Sequence, residues 1–443
     1  MEAALQTEAA KFIERHPESS RLHQEALKSL PGGNTRSLLH TSPFPIFMKK
    51  GNGYELWDED GNKGQADIRR YCDLVGELSA GLYGHSNPIL QEAMEATIKN
   101  VGLSLGATNI HEQKYASFLC ERFGLERLRF TNSGTEANLH CLAAARRFTG
   151  CSKVLVFRGG YHGSVLAFGA GVAPNNVDQA DWVLAQYNDV AGVEAAFREG
   201  SDSGIAAVLV EGMQGSGGYI PASLEFLQKV RSESEKAGSL MILDEVMTSR
   251  LAPGGLKSVL GIQPDLVTLG KYLGGGMPFG AFGGRQDVMD VYNPLTPRPL
   301  AHSGTFQNNT LMLCTGYKGL TEVYTPQVVA EFNSHGDDLR QRLQQVFAGS
   351  KFCVTGRGSL MCIHATKTGL LPEQIICRDT VSQVEDVDLK NLFWMTMINA
   401  GFWVQTRGSI ALNIAMPVAA MDAFVKAVEE FCLVYKTLIA VLP

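Results

Sequence analysis

One lysine ends an apolar run in VTLGKYLGGGMPFGAFGGR, Val267 to Arg285, and a glycine-dense turn follows it. A lysine at a strand end is usually a solvated terminus. Two carboxylates give this one a second meaning. Asp244 closes LMILD and Glu211 closes IAAVLVE, and in an open α/β sheet ligands gather at the carboxyl ends of the strands. An amine and an acid at neighbouring strand ends form a plain ion pair or share a reactive ligand, and Asp244 alone reads equally well as a helix cap. A third element favours an anion. In FTNSGTEANLHCLAAARRFTG, Phe130 to Gly150, Ser133, Gly134 and Thr135 open a helical pattern. Ala137, Cys141, Leu142, Ala145 and Phe148 fall on one side of it, and Gly150 stops it. Free first-turn N–H groups and the helix dipole suit a phosphate there. The same residues also make an ordinary N-cap with Glu136 in the first turn.

An anion site, a strand-end lysine and a strand-end aspartate together describe the chemistry of pyridoxal 5'-phosphate. The Lys271 amine condenses with the cofactor aldehyde, and Asp244 keeps the pyridine nitrogen protonated so that the ring accepts electrons. RGGYHGS, Arg158 to Ser164, adds Tyr161 and His162 as aromatic neighbours just after a strand. The glycines around Lys271 let backbone approach the cofactor and leave the lysine room to swing. Competing chemistries have less support. There is no G-x-x-x-x-G-K-[ST], no well-placed G-x-G-x-x-G, no H-E-x-x-H and no C-x-x-C, so nucleotide and metal readings fall away.

The elements that must position these groups follow an alternating order. KVLVF, IAAVLVE, LMILDEV and DLVTLGK are short and continuously apolar, as strands buried on both faces of a mainly parallel sheet are. Helical patterns such as SLEFLQKVRSESEKAG lie between them, which makes an α/β fold. Three parts are expected: an N-terminal segment over 1–75 with an opening amphipathic helix and short strands, a large cofactor-binding domain over 76–325, and a C-terminal α+β domain over 326–443. The 443 residues are 45% hydrophobic and 19% charged, an ordinary globular composition. A net charge of −6 offers no basic face for nucleic acid. No apolar run is long enough to span a membrane. Nine scattered cysteines and an acidic, polar N-terminus point to the cytoplasm.

With these residues in place, the chain resembles the class III aminotransferases, which are fold-type I pyridoxal-phosphate enzymes. Seven ordered segments carry the resemblance: LYGHSNP, TNSGTEAN, GGYHGS, VEGMQG, LDEVMTSR, TLGKYLGGGMPFGAFGG and HSGTFQNN. Within the class it looks closest to the branch of the β-phenylalanine (β-amino acid) aminotransferases and glutamate-1-semialdehyde aminomutase, and PGGNTRS and DEVMTSRLAP look more like the former. The resemblance implies a large domain plus a smaller one built from the C-terminal part and the N-terminal segment. It implies that Lys271 bonds the cofactor and shuttles the proton, and that Asp244 pairs with the ring nitrogen. Ser133, Gly134 and Thr135 would bind the phosphate, with Thr305 reaching the phosphate of the neighbouring subunit in a homodimer with shared active sites. Tyr161 and Val246 would cover the two ring faces, with His162, Gln214 and Met247 nearby. Arg36 would bind the carboxylate of a β-amino acid and Arg407 a second carboxylate, since guanidinium binds carboxylate in bidentate fashion and never titrates.

The implied activity is ping-pong amino transfer from a small-molecule amino donor, a β-amino acid or related amine, to a 2-oxo acid. An aminomutase or other isomerase using the same cofactor is the alternative, and a non-catalytic cofactor-binding homologue is a distant third. Two departures stand out. Gly212 replaces the proline usual after the glutamate of VEGMQG, loosening that turn, and about seven extra residues, KGQADIR, precede RYCDL as a surface-loop insertion. If Lys271 carries the cofactor, borohydride reduction of the yellow protein should label Lys271 in peptide mapping, and Lys271→Ala should abolish the absorbance band.

Overall fold

A computed structural model describes residues 1–61, 70–200 and 204–441. KGQADIR lies outside the described residues. At the centre is a seven-stranded sheet. Its spatial order is Arg127–Thr131, Gly280–Gly284, Leu266–Gly270, Leu240–Asp244, Ile205–Glu211, Lys153–Phe157 and Trp182–Ala185. The last five run parallel, and Gly280–Gly284 is antiparallel to both of its neighbours. Every residue of Ile205–Glu211, Leu240–Asp244 and Leu266–Gly270 is buried, which is why these strands read as unbroken apolar runs. The register sets Asp244 opposite Glu211 on one side and Thr268 on the other. Lys271 follows three residues beyond Thr268, so the chemistry gathers at one end of the sheet.

One glycine downstream of Lys271 is required by close packing of backbone. A Cβ on Gly280 would lie 2.1 Å from the Ser133 carbonyl, so this strand is small because backbone presses against it. The helix Gly134–Thr149 is capped by Ser133, which accepts the Glu136 N–H at 3.2 Å, and stops at Gly150 with φ +73°. Its buried face includes Asn138, while Phe148 is 40% exposed beneath the Arg285 guanidinium. That departs from the expected apolar stripe, because Asn138 is needed inside as a hydrogen-bond donor.

The opening helix is two helices, Glu2–Arg15 and Pro17–Ala26, broken at His16 where proline starts the second. Phe12 packs on Trp394 of the helix Val387–Asn399. Met48–Asn52, Glu55–Asp58 and Arg70–Asp73 form a sheet whose fourth strand is Phe402–Trp403, paired parallel to Arg70–Asp73. Phe352–Arg357, Leu360–Ala365 and Ser409–Ala411 form a three-stranded antiparallel sheet. The helices Pro326–Val346 and Val418–Val434 accompany it in the last part of the chain.

Arg250 ties these pieces together. It is fully buried and donates to the carbonyls of Ser79 (3.2 Å) and Leu412 and to the Ser359 hydroxyl (3.2 Å), with the Phe332 ring beside it. Its own carbonyl accepts from Tyr324 and Asn333. Arg250→Met should therefore strand two buried carbonyls and lower stability by about 3 kcal/mol, read as a lower urea midpoint. A midpoint equal to wild type would show that the surroundings satisfy those carbonyls without Arg250.

Candidate active site

The strand ends open into a cavity of about 1850 Å³. Asp244 sits at its base, 5% exposed. Its Oδ2 accepts from Asn138 Nδ2 (2.9 Å) and faces His162 Nδ1 (2.7 Å), and its Oδ1 accepts the Val246 N–H (2.9 Å). Burial alone would raise this carboxyl. The His162 hydrogen bond and charge, with the Val246 N–H and Asn138 amide, instead hold it below the usual aspartate range. Burial likewise opposes a charged His162, but Asp244 and then Glu211 raise its basicity. His162 was expected among the aromatic neighbours of the cofactor. Its buried ring lines the cavity and braces Asp244.

Lys271 Nζ donates to the Leu78 carbonyl and meets the Ser79 hydroxyl, both at 2.8 Å. Burial pushes the amine down to about 8, against the pull of Asp244 and Glu211, with the Arg250 and Arg36 charges adding to the burial effect. Part of the population is therefore neutral, and able to take up a proton, near neutral pH. Lys271 has φ +61°, and Glu77, Leu78 and Ser79 facing it also have positive φ. Each such residue costs roughly 1–2 kcal/mol, a strain concentrated where the amine is held.

The N-terminus of Gly134–Thr149 forms another wall. Ser133 is occupied as the cap, and the first-turn N–H groups of Gly134 and Thr135 have no intrahelical carbonyl to reach. A Cβ on Gly134 would meet both Val246 methyls at 2.8 Å, so glycine lets the half-buried Val246 lie flat against this turn. Tyr161 lines the cavity with its ring 46% exposed, and its N–H donates to Glu211 Oε2 at 3.1 Å. Glu211 Oε1 accepts the Gly215 N–H at 2.9 Å, so one carboxylate joins the Tyr161 loop to the next. Met247 lines the cavity, whereas Gln214 does not: its amide donates to the Arg158 carbonyl. The turn after Glu211 is held through backbone at Gly212. The Ala222 N–H donates to the Gly212 carbonyl and Met213–Gln214 pairs with Ile220–Pro221.

Arg36 reaches the cavity and is paired with Glu77. Arg407 enters from the opposite end of the chain, with Nη1 3.3 Å from the Ser216 hydroxyl, and Arg378 lines the same wall. Thr305 lies in an exposed loop and is not part of this cavity. The sequence reading missed Asn138, Glu77, Leu78, Ser79 and Arg378. An asparagine on the apolar side of a helix was the one signal available for Asn138. Among the described residues no group of three or more His, Cys, Asp or Glu could hold a metal ion, and no helix is long and apolar enough to cross a membrane.

The family model Aminotransferase class-III matches residues 39–423. The chain is a class III aminotransferase. It is 47% identical to an uncharacterized aminotransferase of Schizosaccharomyces pombe, over 94% of this chain and 92% of the relative. It is 42% identical to the beta-phenylalanine transaminase of Variovorax paradoxus, over 97% of this chain and 96% of the relative. The solved beta-phenylalanine aminotransferase from Variovorax paradoxus superposes with TM-score 0.94 and 41% identity, covering 100% of each chain. The mixed sheet and its flanking helices are thus the fold-type I architecture of this aminotransferase.

Burial pushes Glu211 up to about 7, although His162 and two backbone N–H groups oppose it. The folded chain therefore binds more protons at Glu211 than the unfolded chain between about pH 4.5 and 7. Its contribution to stability falls as pH rises through that window. Thermal melts should show wild type losing ground to Glu211→Gln between pH 4.5 and 7, and a pH-independent difference would place the Glu211 carboxyl in its ordinary range.

Proposed function

We propose that this aminotransferase uses pyridoxal phosphate to move an amino group from a β-amino acid to a 2-oxo acid. One observation carries the reading: Lys271 and the ionised Asp244 share a cavity with Arg36, in a chain 42% identical to a beta-phenylalanine transaminase. The donor set fits the cofactor. Asp244 accepts from Asn138, His162 and Val246, and a carboxylate has about four lone-pair sites, which leaves one for a pyridinium N–H. The first-turn N–H groups beside Ser133, Gly134 and Thr135 suit a phosphate. Val246 and Tyr161 offer surfaces for the two ring faces.

Bound there, pyridoxal phosphate supplies an aldehyde that receives the amino group and a ring that takes up the electron pair of the substrate carbon. The chain's own residues do the rest. Asp244 holds a proton at the ring nitrogen, and His162 and Asn138 keep Asp244 charged and oriented. Lys271, with its lowered basicity, would take the proton from the amino-bearing substrate carbon and deliver it to the carbon on the other side of the amino nitrogen. Arg36 exchanges Glu77 for the substrate carboxylate, and Arg407 with Arg378 beside it suits the carboxylate of the 2-oxo acid.

A homodimer accords with the exposed apolar side chains Leu103, Leu105, Ile110 and Phe306. Burying such a surface against a second copy would bring Thr305, next to Phe306, toward the partner's phosphate. The described cysteines are all unpaired, which suits a reducing cytoplasm.

Mixing the purified protein with a β-aryl-β-amino acid and 2-oxoglutarate or pyruvate should yield the new α-amino acid. Conversion of a single amino compound with no acceptor would identify an isomerase instead. Arg36→Ala should cost about 2–4 kcal/mol in kcat/KM for the β-amino acid. A neutral amine of the same shape should lose far less. Equal losses would assign Arg36 to the fold, not to the carboxylate.

A further inference from the structure

Four consecutive residues beside the cavity have positive φ, Gly76 (51°), Glu77 (48°), Leu78 (55°) and Ser79 (75°), and Glu77 and Leu78 line it. Only the first is glycine, and residues with a Cβ do not take up this backbone unaided. The surroundings impose it. Asp73 Oδ1 accepts the N–H groups of Val75 (2.9 Å) and Gly76 (3.0 Å), and the Leu74 carbonyl accepts from Ala411 at 2.8 Å. From the far side the buried Arg250 guanidinium donates to the Ser79 carbonyl. The outcome is that the Leu78 carbonyl and the Ser79 hydroxyl converge on Lys271 Nζ at 2.8 Å each, with Ser79 only 1% exposed.

We propose that Ser79 is a positioning residue which, with the Leu78 carbonyl, docks the Lys271 amine whenever that amine is not bonded to the cofactor. This rests on the aminotransferase reading, in which the amine is released during each half-reaction. A hydroxyl suits the task because it is both donor and acceptor. When the amine is neutral, the Ser79 O–H donates to its lone pair and an amine N–H donates to the Leu78 carbonyl. As the substrate C–H bond breaks, its proton moves to the Nζ lone pair and its electron pair stays with the carbon, drawn toward the cofactor ring. The ammonium then donates to both oxygens, with Ser79 switching to acceptor. Giving that proton up restores the first arrangement. Neither protonation state leaves the amine without a partner, and the nitrogen stays in place between the two transfers.

Ser79→Gly separates this role from folding, because glycine is at home at φ +75° and the variant should melt at or above the wild-type temperature. Removing the hydroxyl destabilises the free, docked amine relative to the bonded one. Equilibrium binding of pyridoxal phosphate to the cofactor-free chain should therefore tighten, by about three- to tenfold for one hydrogen bond. The half-reaction with a saturating β-amino acid should slow by about tenfold with KM within twofold, and its carbon–deuterium isotope effect should rise. Weaker cofactor binding, or a raised KM with the rate unchanged, would overturn the dock and make Ser79 a plain wall residue. So would affinity and rate both within twofold of wild type. Wild type lacking any half-reaction with a β-amino acid would sink the β-amino acid reading, while the binding arm would still report on the dock.

Discussion

An ionised carboxylate held away from water is the constraint on which the rest of this site depends. Asp244 is 5% exposed, and an isolated charge in such a place would neutralise itself. It stays charged because three donors from three parts of the chain converge on it: Asn138 from a helix, His162 from a loop, and the N–H of Val246 two residues on. Each donor sets a condition on the fold. The helix Gly134–Thr149 must lie across the sheet so that an asparagine faces inward, and Thr268 fixes that asparagine by donating to its oxygen at 3.0 Å. The loop after Lys153–Phe157 must turn back sharply enough to bury a histidine. Meeting these conditions also places the helix N-terminus, Tyr161 and Val246 around one volume.

Charge elsewhere in the cavity is arranged on the opposite principle. Arg36 is partly exposed and paired with Glu77, which is itself mostly exposed, so solvent screens the pair and separating it costs little. Such a pair can be exchanged for a substrate carboxylate, whereas the Asp244 cluster cannot be exchanged for anything. Lys271 lies between the extremes. Its amine is buried enough to lose basicity, yet it has polar partners in either protonation state. A single cavity thus combines a fixed carboxylate, a movable proton and a replaceable counter-ion.

Strained backbone gathers where these groups meet, although residues such as Asp178, Asn188 and Arg298 carry it elsewhere. Lys271 and the turn Glu77–Ser79 account for four of the positive-φ residues with side chains, and both border the cavity. The fully buried Arg250 braces that turn from behind, joining the N-terminal part, the central sheet and the C-terminal sheet through two carbonyls and the Ser359 hydroxyl, with no carboxylate partner among the described residues. Because its hydrogen bonds go to two carbonyls and a hydroxyl, it fixes chain positions and leaves the charge balance of the cavity to the residues that face it.

The amino-acid sequence determined the central sheet and the acid–amine pair. Strands buried on both faces must be continuously apolar, so a charged residue that ends one, such as Asp244, Glu211 or Lys271, announces a strand end. Helix punctuation was equally legible: Ser133 and Gly150 are the cap and stop of Gly134–Thr149, as their types require. Tertiary structure decided what cannot be encoded locally. Asn138 looks like a break in an apolar stripe until Asp244, 106 residues away, is placed against it. Gln214 looks like a cavity residue until packing turns its amide toward the Arg158 carbonyl, and nothing local shows that the His162 ring will brace Asp244. The left-handed backbone of Glu77–Ser79 has no signature at all, because those residue types do not prefer it. Contacts from Asp73, Ala411 and Arg250, which are far apart in sequence, impose it, and only the folded chain brings them together.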